Sequence, residues 1–276
     1  MTGQDMTSDR IKIAAASADR IVAVAHELAD AARVETLRLF RSPGLRPDNK
    51  AASGFDPVTE ADRASERAMR AILGEKRPDD AILGEEYGAR PGTSGLTWVL
   101  DPIDGTRAFI AGAPSWGVLI GVCDAQGPVY GVIDQPHLDE RFEGGFGRAA
   151  LTGRGKNVPL ATRRGIPLAQ ATLMTTYPEV GTPAEHAAFR RVADAARLTR
   201  YGLDCYAYAL LAAGHVDLVI EAGLQSYDVA GPIAVVQAAG GVATNWQGGP
   251  AHDGGTIIAA GSPELHAEAL ALLNGD

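Results

Sequence analysis

The stretch Trp98–Gly112 reads WVLDPIDGTRAFIAG. Its apolar run, Trp98 to Leu100, predicts a buried strand that ends in two carboxylates three residues apart, Asp101 and Asp104. Gly105 and Thr106 follow at once. Asp-Pro and Asp-Gly are turn dipeptides when taken alone. The strand before them changes their meaning, because two acids at a buried strand end repel unless a cation lies between them. Mg²⁺ takes about six oxygens, few of them from carboxylates, and the Ile103 carbonyl can face the same point. The loop therefore suits a divalent cation held beside a phosphate.

Further acids extend the idea on either side. Glu85 and Glu86 follow the apolar run Ala81-Ile82-Leu83, and two strand-end clusters this near in sequence can lie side by side in one sheet. Asp228 opens the helical pattern DVAGPIAVVQAAGG, with Pro232 in its first turns, where an aspartate serves as N-cap or as metal ligand. Glu221 stands seven residues upstream in EAGLQSYD, a tract that does not read as a core strand. Gly105 and Thr106 can offer N–H groups to a phosphate if a helix starts there. The Thr106 hydroxyl, paired with a carboxylate, can orient or deprotonate a water. The candidate partner is Asp62, which the spacing also makes the back half of a capping box with Thr59.

The remaining pattern frames these residues. Ile21, Val24, Leu28, Ala32 and Leu39 carry a helical period through residues 10–40, ended by Pro43, Gly44 and Pro47, with Lys50 beyond. A second helix follows Thr59, with Ala61, Ala64, Ala68 and Ile72 along one face. Residues 81–150 read as strands, including WGVLIGV and PVYGVI joined by a turn at Asp124–Gly127. The polar, turn-rich stretch 152–166 marks a boundary, after which strands and helices alternate. An N-terminal α+β lobe over residues 1–155 and a C-terminal α/β lobe over 156–276 follow, within a length that buries a full core.

Bulk properties exclude some partners. The net charge of −9, from 25 basic and 34 acidic residues without a basic block, sets aside nucleic acid. No window approaches the ~18 apolar residues that span a bilayer, so no membrane partner is expected. MTGQDMTSDR has no cationic segment leading into an apolar run and does not read as a signal peptide. Cys123 and Cys205 make neither a disulfide framework nor a metal spacing, and reduced thiols in a cytoplasmic protein are expected.

DPVTEAD, GEE, WVLDPIDGT and YDVAGPIAVVQAAGG stand in the order and at the spacing of the inositol monophosphatase superfamily of Mg²⁺-dependent phosphatases, which the chain resembles over about residues 50–245. The resemblance implies a layered α-β-α-β-α sandwich. Most metal ligands would lie in the N-terminal lobe, and the substrate pocket and last ligand in the C-terminal one. It also implies two or three Mg²⁺ ions held by Glu85, Asp101, the Ile103 carbonyl, Asp104 and Asp228. Thr106 with Asp62, helped by Glu85, would activate a water, and the N–H groups of Gly105 and Thr106 would hold the phosphate. Relatives commonly form homodimers. In relatives a lysine and an acid near the 41–55 loop help place a third metal, but Lys50 sits one position off that spacing and stays outside the expected site.

Departures from the inositol pattern point to a substrate. Inositol phosphatases usually continue DGTTNF and carry WDVAAG, whereas this chain reads DGTRAF and YDVAG. With YGLDCYAYALLAAG and IEAGLQSYD it looks like the histidinol-phosphatase branch. Asp204, with Glu221 and Asp228 nearby, would favour the ammonium and imidazole of L-histidinol phosphate over a neutral polyol. Arg107 and Arg200 would suit its phosphate. A helix cap before CYAYALL is the other reading of Asp204, and surface charge that of both arginines. The expected function is hydrolysis of L-histidinol phosphate in histidine biosynthesis. Its rivals are inositol 1-phosphate, fructose 1,6-bisphosphate and 3′-phosphoadenosine 5′-phosphate. A catalytically silent phosphate-binding regulator is the alternative from another class, and the intact set Asp62, Glu85, Asp101, Asp104, Thr106 and Asp228 argues against it.

Overall fold

A computed structural model of the chain describes residues 13–43, 45–49 and 57–275. The stretch MTGQDMTSDR, Lys50 and the end of the loop up to Phe55 lie outside the described residues. Helix α1 (Ala15–Leu39) buries Ile21, Val24, Leu28 and Ala32, as their period predicts. Strands β1 (Asp48–Asn49) and β2 (Pro57–Val58) form a short antiparallel pair before α2 (Glu60–Lys76). The capping box opens α2: the Ala61 N–H donates to Thr59 Oγ1 at 3.1 Å and the Thr59 N–H to Asp62 Oδ2 at 2.8 Å. The expected face is buried at Ala61 and Ala64 and half-buried at Ala68 and Ile72, and the inward stripe widens to take in Asp62, Ser65, Glu66, Met69 and Leu73.

Then come β3 (Ala81–Gly84), β4 (Gly88–Arg90), β5 (Thr97–Asp104), α3 (Thr106–Ala111), β6 (Gly117–Asp124), β7 (Gly127–Gln135), β8 (Glu140–Gly145), β9 (Arg148–Gly153) and β10 (Lys156–Pro159). The strands make an eight-stranded sheet of order β10-β9-β8-β7-β6-β5-β3-β4, antiparallel except where β3 runs parallel to β5. Trp98, Leu100, Val118, Ile120, Val122, Tyr130 and Val132 fill the face against α1 and α2. The polar stretch 152–166 contains the turn and second strand of the β9–β10 hairpin, so the chain leaves this sheet only after Pro159. Every residue of β10 is exposed, which makes an edge strand look like a loop.

The second sheet collects β11 (Thr172–Thr175), β12 (Leu198–Tyr201), β13 (Leu218–Gln225), β14 (Val242–Thr244) and β15 (Gly254–Ala260) in the order β12-β11-β13-β15-β14. Its outer face is covered by α4 (Pro183–Ala195) and α7 (Pro263–Asn274). Between the sheets lie α5 (Tyr206–Ala212) and α6 (Ser226–Ala238), packed on Leu119, Ile133 and Phe142 from one side and Val219, Ile257 and Ala259 from the other. The result is the α-β-α-β-α sandwich. The tract EAGLQ continues β13, its last four residues alternating half-buried and exposed, with a bulge between Ala222 and Leu224. Pro232 is the seventh residue of α6, at the end of its second turn, where it removes the usual donor to the Asp228 carbonyl.

Bare glycines set the height of α6 on the first sheet. A Cβ on Gly121 would lie 2.7 Å from the Ala230 Cβ, one on Gly131 2.2 Å from the Gly231 carbonyl oxygen, and one on Gly144 2.6 Å from Val235 Cα. The helix backbone therefore rests directly on the strands.

Candidate active site

Strand alternation alone would send Asp101 and Asp104 to opposite faces. The structure resolves this with a bulge. Asp101 pairs with Leu119 and Asp104 with Gly117, so β5 carries one extra residue over that interval. Pro102, which offers no N–H to the ladder, suits that irregularity. Both carboxylates then meet Asp228, one oxygen of each of the three lying within 4.8 Å of the others. Asp228 reaches them from the third position of α6, not the N-cap: Gln225 is the cap, and its N–H donates to Asp228 Oδ2 at 2.6 Å. Because β3 is the parallel neighbour of β5, Glu85 leaves Gly84 alongside Asp101, its N–H donating to the Leu100 carbonyl at 3.2 Å.

Burial and mutual repulsion shape the electrostatics. Asp101 is held well above the usual carboxylate range by burial, then by the charges of Glu85, Asp104 and Asp228. Asp104 is raised by burial, then by Asp204 and Asp228, although the Cys205 N–H donates to its Oδ2 at 2.6 Å. Asp228 is pushed up to about 7, chiefly by burial, against the opposing pull of the Gln225 N–H. Asp62 rises to about 6, from burial first, while Thr59 pulls it down. Hard oxygen donors that repel one another in a buried site fit a divalent cation such as Mg²⁺.

The expected water-activating pair is not directly joined. Thr106 Oγ1 donates to the Ile103 carbonyl at 3.1 Å, and Asp62 Oδ2 is taken by Thr59 Oγ1 at 2.6 Å and by the Thr59 N–H. Asp62 Oδ1 is buried and has no hydrogen-bond partner.

A cavity of about 270 Å³ opens beside the three aspartates, lined by Gly105, Thr106, Arg107, Thr176, Tyr177, Asp204, Tyr208 and Glu221 among others. Asp204 has a left-handed backbone, φ 48°, and accepts from Ser115 Oγ at 3.3 Å. The cap reading of Asp204 fails, since α5 starts after Cys205 and no side chain caps it. Burial, then Glu221, pushes Asp204 up to about 6, and Arg107 pulls it down. Glu221 accepts from the Thr176 N–H at 3.0 Å, from Thr176 Oγ1 at 2.5 Å and from the Tyr208 hydroxyl at 2.6 Å. Gly105, at φ 83°, favours glycine, and a Cβ there would lie 2.9 Å from Asp204 Cγ. Arg107 Nη1 donates to the Tyr177 hydroxyl, its guanidinium 5.4 Å from that ring centre.

Arg200 is not brought in. It is exposed on the edge strand β12, in register with Met174 and outside the cavity lining. The reading from sequence missed Ser115, Thr176, Tyr177 and Tyr208. Thr176 and Tyr177 carried a usable signal, for they follow the C-terminal end of β11, where open α/β sheets bind ligands.

A family model described as the inositol monophosphatase family matches residues 17–275. The bifunctional phosphatase IMPL2 of Arabidopsis thaliana chloroplasts is 40% identical over 91% of this chain and 74% of its own length. The histidinol-phosphatase of Streptomyces coelicolor is 34% identical, covering 91% of this chain and 96% of that one. The solved inositol monophosphatase of Zymomonas mobilis superposes with a TM-score of 0.81 at 40% identity, over 95% of this chain and 99% of that one. With motif order, fold and relatives in agreement, the chain belongs to the inositol monophosphatase family.

Proposed function

We propose that the protein is a Mg²⁺-dependent phosphomonoesterase that hydrolyses L-histidinol phosphate to L-histidinol and phosphate. The observation that carries the choice of substrate is the acid pair Asp204 and Glu221 in the cavity beside the three aspartates. A neutral polyol meets two carboxylates through hydrogen bonds alone, whereas an ammonium and a protonated imidazole add charge attraction. Asp101, Asp104, Asp228, Glu85 and the Ile103 carbonyl would hold two or three Mg²⁺ ions. Bound there, the metal would supply positive charge for phosphoryl transfer. Asp62 Oδ1 would accept the proton of the attacking water, with the Thr106 hydroxyl orienting it. The N–H groups of Gly105 and Thr106, with Arg107, would hold the phosphate. Two free thiols suit a reducing, cytoplasmic setting, and a homodimer is part of the same proposal. Among the described residues no helix is long and apolar enough to cross a membrane.

The 40% identity to the Zymomonas inositol monophosphatase favours inositol 1-phosphate as the second reading. Phosphate release from histidinol phosphate, inositol 1-phosphate, fructose 1,6-bisphosphate and 3′-phosphoadenosine 5′-phosphate, each with Mg²⁺ and with EDTA, separates the possibilities. The expected result is Mg²⁺-dependent release with the highest kcat/KM on histidinol phosphate. The highest value on inositol 1-phosphate overturns the substrate, and no release from any of the four overturns the enzyme.

A further inference from the structure

We propose that Glu66 is a positioning residue that sets Glu85 in the candidate metal centre, an inference that rests on reading Glu85 as a metal ligand. Glu66 lies one turn after Asp62 on α2 and is fully buried. Its Oε2 accepts from the Glu86 N–H at 2.7 Å, and its Oε1 accepts from the Tyr87 N–H at 3.2 Å and from Arg70 Nε at 2.7 Å. One carboxylate thus holds the backbone of the turn that presents Glu85. The fit leaves no slack, since a Cβ on Gly84 would lie 2.0 Å from Glu66 Oε1. Arg70 completes the arrangement by also donating to the Gly88 carbonyl across the same turn.

A surface turn ordinarily leaves its N–H groups to water, and burying an ionised carboxylate to hold them is costly. What the arrangement achieves is placement. The backbone of α2 fixes Asp62, and its next turn fixes Glu85 through Glu66, so proton acceptor and ligand are tied to one rigid element. Glutamine at position 66 would keep the shape but turn an amide N–H₂ toward an N–H or toward Arg70, donor against donor. The turn would have to move, and Glu85 with it.

The test is Mg²⁺ binding measured by calorimetry, alongside the Mg²⁺ dependence of phosphate release, for wild type, Glu66→Gln and Glu66→Asp. Aspartate keeps the charge but is one methylene short of the turn. Both variants should weaken Mg²⁺ binding about 10- to 100-fold, with kcat at saturating Mg²⁺ within a few-fold of wild type. Lower thermal stability with unchanged Mg²⁺ affinity in either folded variant overturns the proposal. If wild type itself binds no Mg²⁺, the metal-centre reading fails and takes this one with it. If wild type binds Mg²⁺ and the variants match it, only the role of Glu66 fails.

Discussion

Replacing Asp228 by asparagine should stabilise the metal-free protein at pH 8 while removing most of its response to Mg²⁺. Asp228 moves from the ordinary 3.8 to about 7 in the fold, chiefly through burial and then through the charges of Glu85 and Glu221. At ~1.4 kcal/mol per pH unit, ionising it in the empty site costs up to ~4 kcal/mol. Relaxation and water penetration take roughly half of that, and loss of a charge at the start of α6 takes another ~0.5 kcal/mol. Asparagine can still accept the Gln225 N–H through its side-chain oxygen, so the helix start survives. A net gain of about 1–2 kcal/mol raises Tm by several degrees in a chain of this size.

The pH dependence follows from the direction of the displacement. In the fold Asp228 keeps its proton up to about 7, whereas the unfolded chain loses it near 3.8. Folding therefore binds a proton between those values, and the stability this group lends falls as pH rises through that window. The advantage of asparagine should be complete above pH 7 and vanish towards pH 4. Thermal unfolding in EDTA and in Mg²⁺, from pH 5 to 8, reads all of this. Wild type at 100 times its dissociation constant for Mg²⁺ should gain about 2.7 kcal/mol. A variant that melts below wild type in EDTA at pH 8, or that keeps the full Mg²⁺ shift, refutes the account of a repelling carboxylate centre.

Three further outcomes are expected. Asp104→Asn should lower turnover at least ~100-fold and lose much of the Mg²⁺-dependent rise in Tm, with the fold intact because the amide oxygen can still accept the Cys205 N–H; retention of most activity in a phosphate-release assay would remove Asp104 from the metal set. Asp204→Asn should cut kcat/KM for histidinol phosphate by roughly 10- to 100-fold, the worth of a hydrogen bond to a charged group, and leave inositol 1-phosphate nearly unchanged; equal losses on both would strip Asp204 of a role in specificity. Gly105→Ala should cost about 1–2 kcal/mol in stability at φ 83° and raise KM by displacing Asp204, and an unchanged KM would contradict the tight approach of the two loops.

The acids of the site were legible because each sits where an apolar run stops. Asp101, Asp104 and Glu85 all end buried strands, and the parallel pairing of β3 with β5 brings the two clusters together. Asp62 was legible as the back half of the capping box with Thr59, which is made, and its Oδ1 stays buried without a hydrogen-bond partner among the described residues. What stayed hidden depended on backbone irregularity or on distant partners. The bulge that turns Asp104 to the side of Asp101 leaves no mark on hydrophobic period beyond Pro102. Glu66 looks like a solvated helix residue because its partners, the Glu86 and Tyr87 N–H groups, lie 20 and 21 residues away. Arg200 misled for the opposite reason: the chemistry of a guanidinium was right for phosphate, but an exposed edge strand carries it outside the cavity.

Asp228 joins these observations, because its position is set by sterics far from any charge. The third residue of a helix can meet two strand-end carboxylates only if the helix axis lies very close to the sheet. Gly121, Gly131 and Gly144 allow that approach by presenting no side chain to Ala230, Gly231 and Val235. An alanine at Gly131 would place its Cβ 2.2 Å from a backbone oxygen of α6, a contact no rotamer can relieve. The helix would have to lift, carrying Asp228 away from Asp101 and Asp104 and loosening the cluster without touching one of its ligands. The spacing of these glycines along β6, β7 and β8 is therefore as much a determinant of the aspartate cluster as the aspartates are.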